Sequence, residues 1–304
     1  MKIERIAFVG LGALGVLYGG YLTEKLGREA VGFVADEGRR ARYASRRITS
    51  NGRPLDFRLI PAEEKGEAAD LVVFAVKAPA LEQAMEDAAG QIDGHTVILS
   101  LLNGISSEGL LEARFGAKNV VYSVAQGMDA VMQGDALVYT KAGHICVGAP
   151  TAEKLPALDA VCELFERTGM PYRREEDILH RIWGKFMLNV GVNQVVMVYE
   201  GGYGTIQVPG EPREKMIAAM REVIALANCE GVRLTEDDLN EYLDLLAPLW
   251  PEGMPSMRQD GLAKRKSEVE LFAGTVRRMA KKHNLAVPVN DWLYETVKRM
   301  EAEY

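Results

Sequence analysis

A chain of 304 residues, 48% of them apolar, is long enough to build two domains with substantial cores. Its formal net charge of −7 argues against a nucleic-acid partner, which needs a basic face. Three widely separated cysteines (Cys146, Cys162, Cys229) and four scattered histidines offer neither a disulfide framework nor a metal cluster, and fit a reducing, cytoplasmic setting.

The first element is the most specific. A short apolar run, Ile6 to Val9, enters Gly10-Leu11-Gly12-Ala13-Leu14-Gly15, and a helix-like apolar stretch follows from Val16 to Leu26. In a G-x-G-x-x-G turn between strand and helix, the first glycine makes the sharp turn and the second admits a pyrophosphate to the backbone. The third lets helix and strand pack closely. The free N–H groups and positive end of the helix then face the phosphates. Lys2 and Arg5 before the apolar run imitate a signal peptide, but Gly10, Gly12, Gly15, Gly19 and Gly20 interrupt it and no cleavage pattern follows. It is also too short and glycine-rich for a membrane span.

Strand and helix signals then alternate. Ala30 to Asp36, Leu71 to Val76, Val97 to Leu102 and Val120 to Ala125 are short runs apolar on both faces, as buried parallel strands are. Ala80 to Ala89 and Ser107 to Phe115 are predicted helices between them. The pattern is α/β, a doubly wound parallel sheet of the Rossmann type. A helix over Ala152 to Thr168, stopped by Gly169, and a short strand at Met170 to Tyr172 close this half. From Asp177 on only helices are predicted: Ile178 to Tyr199, Pro212 to Cys229, Thr235 to Leu246, Ser256 to Lys282 and Asn290 to Met300. The domains are therefore set at 1–174, dinucleotide-binding, and 175–304, an all-helical substrate domain.

Candidate residues follow from position. Asp36 ends the second strand, where an acid hydrogen-bonds the ribose 2′-hydroxyl of NAD; Arg39, Arg40 and Arg42 follow, and an arginine there holds the 2′-phosphate of NADP. Both cofactors stay open on this ground, and the charges also suit a plain solvated surface. Lys77 and Asn103-Gly104 leave the carboxyl ends of strands, where open α/β sheets bind ligands, though strand stops look the same. In the second half Lys185, Asn189 and Asn193 recur every fourth residue on one helical face among apolar neighbours. Burying them without partners is costly, so the face reads as a site rather than a wet stripe. A lysine there can hydrogen-bond a carbonyl oxygen as it gains charge. Glu268, within the charge run Lys264 to Glu270, reads by itself as a surface helix glutamate, and Ser256 after Pro255 as an N-cap.

Together these residues resemble the ketopantoate reductase (2-dehydropantoate 2-reductase) family over essentially the whole chain. The resemblance lies in the glycine turn, Val76-Lys77, Leu102-Asn103-Gly104, Trp183-x-Lys185-x-x-x-Asn189-x-x-x-Asn193, Ser256-Met257-x-Gln259-Asp260 and Glu268. It implies an N-terminal Rossmann domain and a C-terminal helical domain with the site in the cleft between them. It also implies reduction of the keto group of ketopantoate to pantoate by NADPH, on the way to pantothenate and coenzyme A. Lys185 would polarise and protonate the keto oxygen, with Glu268 as its acidic partner. Asn103, Asn189, Asn193 and Ser256 would hold substrate. Gly10 to Gly15, Asp36, Arg40, Lys77, Asn103 and Met128 would line the cofactor. The chain departs from the family in having Ala35-Asp36 where an arginine often serves the 2′-phosphate, which leaves NAD(H) beside NADP(H). It also has Glu200-Gly201-Gly202-Tyr203-Gly204 where a further substrate asparagine is often found, which leaves other branched 2-keto acids beside ketopantoate.

Two other readings compete. A 3-hydroxyacid dehydrogenase of the 6-phosphogluconate type also pairs a lysine with an asparagine one helical turn away. A non-catalytic NAD(P)-binding sensor would need the glycine turn without the Lys185 face. The expected partner is a small 2-keto acid, with neither nucleic acid nor membrane, and apolar surface on the helical half would suit a homodimer.

Overall fold

The structure, a computed structural model, describes residues 1–64 and 66–304. They form two compact units, Met1–Ile178 and Leu179–Tyr304.

The first unit is built on β1 (Ile6–Val9), β2 (Val31–Ala35), β5 (Arg58–Pro61), β6 (Leu71–Phe74), β7 (Val97–Ser100) and β8 (Val120–Met128), all parallel. Across the sheet they run β8-β7-β6-β1-β2-β5. Counting these six strands in chain order, that is the 3-2-1-4-5-6 order of doubly wound dinucleotide sheets, whose order reverses between β1 and β6. Beyond β8 the sheet continues with β11 (Ala142–Gly148), antiparallel to it, and β12 (Tyr172–Arg174), parallel to β11. A second small sheet joins β3 (Thr49–Ser50), β4 (Arg53–Pro54), β9 (Val131–Gln133) and β10 (Ala136–Val138).

Both faces of the large sheet are covered, which is why its strands read as unbroken apolar runs. Ile6 and Phe8 point into one core with Phe33, Val161 and Phe165; Ala7 and Val9 point into the other with Phe74, Leu81 and Leu111. The covering helices are α1 (Gly20–Leu26), α2 (Glu37–Ala44), α3 (Leu81–Ala88), α4 (Ser107–Phe115) and α5 (Leu155–Thr168). Gly169 stops α5 in the left-handed region at φ 70°. The stretch expected as one helix from Val16 starts as a wider π-helical turn, Gly15–Gly19, continuous with α1.

The second unit is helical. Its longest element, α6 (Ile178–Val198), is buried on nearly every side from Ile182 to Met197, so it behaves as a central helix rather than a surface one. Around it follow α7 (Gly204–Gln207), α8 (Glu211–Cys229), α9 (Glu236–Leu246), α10 (Ser256–Leu262), α11 (Ala273–His283) and α12 (Pro288–Glu301). Thr235 and Asp238 close a reciprocal capping box at the start of α9. The helix expected from Ser256 to Lys282 is two helices, α10 and α11, parted by residues 263–272. The chain turns at Lys264, at φ 48°, and the Arg265 guanidinium is tied to the buried carboxylate of Asp260. Among the described residues no helix is long and apolar enough to cross a membrane.

Candidate active site

The glycine turn sits at the carboxyl ends of β1 and β6, where the strand order reverses. Gly10 has φ 107°, and a Cβ there would lie 2.6 Å from the carbonyl oxygen of Ala75, just past β6. A Cβ on Gly15 would lie 2.0 Å from the carbonyl oxygen of Gly10. No residue with a side chain fits either place. Gly12 is exposed, and its carbonyl accepts from the N–H of Val16 at 2.9 Å, which starts the helix. The N–H groups of the first turn, at Ala13, Leu14 and Gly15, precede any intrahelical acceptor and remain available to an anion. Leu11 is buried and anchors the loop in the core. These residues fit a dinucleotide pyrophosphate.

Asp36 ends β2 and caps α2. Its carboxylate accepts the N–H of Arg39 at 2.6 Å and the Nε of Arg39 at 2.9 Å. The backbone N–H first, and the guanidinium after it, hold this carboxyl below the usual carboxylate range. The far end of Arg39 donates to the buried carboxylate of Asp87. Arg39 is thus shared between two acids, and Arg40 pairs with Glu63 at 2.8 Å. Arg42 is exposed over the ring of Tyr43.

Lys77 follows β6 as an exposed residue, and Asn103 follows β7, half-buried, before Gly104 at φ 93°. Met128 ends β8, half-buried. The structure therefore brings the glycine turn, Asp36, Lys77, Asn103 and Met128 to the carboxyl ends of neighbouring strands of one sheet, where doubly wound folds bind ligands.

In the second unit the polar face of α6 is real. Lys185 is half-buried, and Asn189 and Asn193 are 9% and 7% exposed. The flanking Phe186, Met187 and Val190 are fully buried. The Nδ2 of Asn193 donates to the Oγ of Ser256 at 3.3 Å, which brings α6 and α10 together at two expected substrate residues. Ser256 is not the N-cap: Pro255 occupies that position and Ser256 begins the helix, so its hydroxyl is turned to Asn193 instead. Glu268 is not a surface helix residue either. It lies on the segment between α10 and α11 and is 8% exposed, because Val269, Leu271 and Phe272 around it pack into the core.

With this geometry in view, two family models match nearly end to end. Residues 6–151 match the ketopantoate reductase PanE/ApbA model and residues 177–301 match the ketopantoate reductase PanE/ApbA C-terminal model. The chain belongs to the ketopantoate reductase family. The 2-dehydropantoate 2-reductase of Aquifex aeolicus is 24% identical, the alignment covering 98% of this chain and 97% of that one. Among solved structures, D-mandelate dehydrogenase in a ternary complex with NADH and anilino(oxo)acetate superposes with a TM-score of 0.88 at 21% identity, covering 98% of both chains. A PanE/ApbA family ketopantoate reductase from Ralstonia eutropha superposes at 0.84 and 22% identity, covering 98% of this chain and 99% of that one. The fold of the family is shared throughout.

Three features of the family member escaped the residue pattern. The role of Asp87 as the second anchor of Arg39 sits inside an ordinary amphipathic helix. The β11 strand beside β8 has Gly143 and His144 near its start, and its apolar run is only Ile145 to Val147. The break that buries Glu268 has neither glycine nor proline at its turn, so no breaker marks it.

Proposed function

We propose that this protein reduces the C2 keto group of 2-dehydropantoate to the hydroxyl of pantoate with a nicotinamide hydride. The observation that carries this reading is the Lys185–Asn189–Asn193 face of α6, buried among apolar side chains and joined to Ser256. The names of the matched relatives support it, and anilino(oxo)acetate, held by D-mandelate dehydrogenase, sets a carbonyl beside a carboxylate as a 2-keto acid does.

A nicotinamide cofactor held at the glycine turn would supply the hydride for C2 of the keto acid. The protein's own residues do the rest. The Lys185 ammonium donates to the keto oxygen, stabilises the charge that grows there and gives up one proton, so that ketone, hydride and proton become the alcohol. Lys185 then recovers its proton from solvent. Stabilisation of this kind is worth about 3–4 kcal/mol in a dry site. Asn189, Asn193 and Ser256 fix the carboxylate and hydroxyl of the substrate, which removes much of the orientational barrier. Glu268 is the acidic partner of Lys185, and Asn103 is a further substrate residue.

The cofactor is NADH in preference to NADPH. Asp36 places a carboxylate where a ribose 2′-hydroxyl donates and a 2′-phosphate is repelled. Arg39 is held by Asp36 and Asp87 and Arg40 by Glu63, so two of the three nearby arginines already have carboxylate partners, while Arg42 lies over the Tyr43 ring. One assay tests the whole reading: oxidation of NADH and of NADPH with ketopantoate, other branched 2-keto acids and aryl 2-keto acids. Turnover of ketopantoate with the highest kcat/KM supports it. Turnover confined to 3-hydroxy acids, or tight cofactor binding with no turnover, overturns it.

A further inference from the structure

The segment carrying Glu268 is fastened on both sides by groups outside it. Just before it, Ser267 donates its N–H at 2.7 Å and its hydroxyl at 2.6 Å to one oxygen of Glu301, near the end of α12. The Glu301 side chain is 6% exposed, and Lys298 stands 3.8 Å from its other oxygen. Just after it, the N–H of Ala273, first residue of α11, donates to Oε1 of Gln194 at 3.1 Å. Gln194 is fully buried on α6, next to Asn193, and its amide nitrogen donates to the carbonyl of Val190 at 2.7 Å. Between the two fastenings the backbone folds on itself. The N–H groups of Leu271 and Phe272 donate to the carbonyl of Glu268, each at 3.0 Å, and that of Gly274 to the carbonyl of Val269 at 2.9 Å.

These bonds exceed what packing requires. Val269, Leu271 and Phe272 already hold the segment in the core by apolar burial. A buried carboxylate bonded twice to one serine, and a buried amide that accepts a backbone N–H while donating to the carbonyl of Val190 and to the Oδ1 of Asn290 at 3.5 Å, do something that apolar side chains would not: they set position to hydrogen-bond precision. The Gln194 end refers the segment to the same helix that carries Lys185, Asn189 and Asn193. The Glu301 end refers it to α12.

We propose that Glu301 and Gln194 are positioning residues, a two-point clamp that fixes the Glu268 carboxylate relative to the polar face of α6. The inference rests on Glu268 acting in the reaction. Releasing either point lets the carboxylate wander, and displacements of about 1 Å at a reacting group cost up to about 100-fold in rate.

The test is a double-mutant cycle on the full chain with the preferred keto acid and cofactor, with thermal unfolding followed in parallel. Glu268→Gln alone is expected to lower kcat/KM by about 100-fold. Glu301→Ala alone is expected to lower it about tenfold, with Glu301→Gln, which keeps an acceptor oxygen, restoring most of it. Glu301→Ala added to Glu268→Gln is expected to cost less than about twofold more, because its effect runs through a carboxylate already gone. Gln194→Leu is expected to follow the same cycle. Should Glu301→Ala fail to fold, Ser267→Ala keeps the backbone bond to Glu301, removes the hydroxyl bond and the one that hydroxyl accepts from the Val269 N–H at 3.2 Å, and is expected to give a smaller loss that also vanishes in the Glu268→Gln background. Full additivity, or wild-type kinetics in a folded Glu301→Ala, overturns the clamp while leaving the role of Glu268 intact. Wild-type kinetics in Glu268→Gln overturns the role itself and the clamp with it.

Discussion

The ring of Phe186 packs on that of Phe272, with 6.4 Å between centroids and 48° between planes. The two belong to different segments, and each neighbours a residue of the proposed chemistry: Phe186 follows Lys185, and the N–H of Phe272 is bonded to the carbonyl of Glu268. Both rings are buried. Truncating such a ring costs about 3–5 kcal/mol. Phe272→Ala is therefore expected to lose that much in urea unfolding. Phe272→Leu, which keeps most of the volume, should lose less stability yet still lower kcat/KM, since the Glu268 segment shifts with the contact. Equal activity in folded Phe272→Leu and wild type would show that this contact serves stability alone.

Lys185→Ala is expected to lower kcat by about 100- to 1000-fold, the size of an oxyanion donor removed from a dry site. The glycine turn lies in the other unit, so the dissociation constant for NADH, read by fluorescence titration, should stay within about twofold. A variant that turns over at the wild-type rate would remove the proton donor from the mechanism.

How much of this was legible beforehand depends on where the information resides. The glycine turn was legible because Gly10 turns at a positive φ and Gly15 packs on Gly10 itself, demands set within the turn. The face of α6 was legible because four-residue spacing in an apolar stretch has one geometric meaning. Glu268 was not, since its burial depends on a chain turn at Lys264, an ordinary residue in a left-handed conformation that tertiary bonds sustain. The place of Ser256 is hidden for a related reason: a serine after a proline is a good N-cap locally, whereas Pro255 takes that position and the Ser256 hydroxyl meets Asn193. The small sheet of β3, β4, β9 and β10 was invisible because strands of two or three residues carry no periodicity.

Asp36 offers a cofactor test independent of substrate. Wild-type kcat/KM is expected to favour NADH over NADPH by at least about tenfold, the worth of one charge-assisted hydrogen bond. Asp36→Ala should weaken NADH and improve NADPH, narrowing the ratio from both sides. The change also loosens Arg39, so Asp87→Asn serves as a second probe. It frees Arg39 from one of its two acids and should improve NADPH without weakening NADH. An NADPH preference in the wild type would refute the assignment.

Glu108 supplies a pH dependence. It is buried at the start of α4, where the hydroxyl of Ser107 donates to its Oε2 at 2.9 Å and that of Ser100 donates to Ser107 at 2.8 Å. Burial pushes its carboxyl from 4.5 up to about 7, with Glu112 adding to the rise and bonds from Ser107 and the Ser123 backbone opposing it. Between those two values the native chain keeps a proton that the unfolded chain has released. Stability from this group is therefore fully present below about 4.5, falls as pH rises through the window, and levels off above about 7. The loss is on the order of 1–3 kcal/mol. Glu108→Gln keeps the shape without the proton, so its melting temperature should gain on the wild type between pH 5 and pH 8 (roughly the span of the window). A difference between the two proteins that does not change with pH would place the Glu108 titration outside this range.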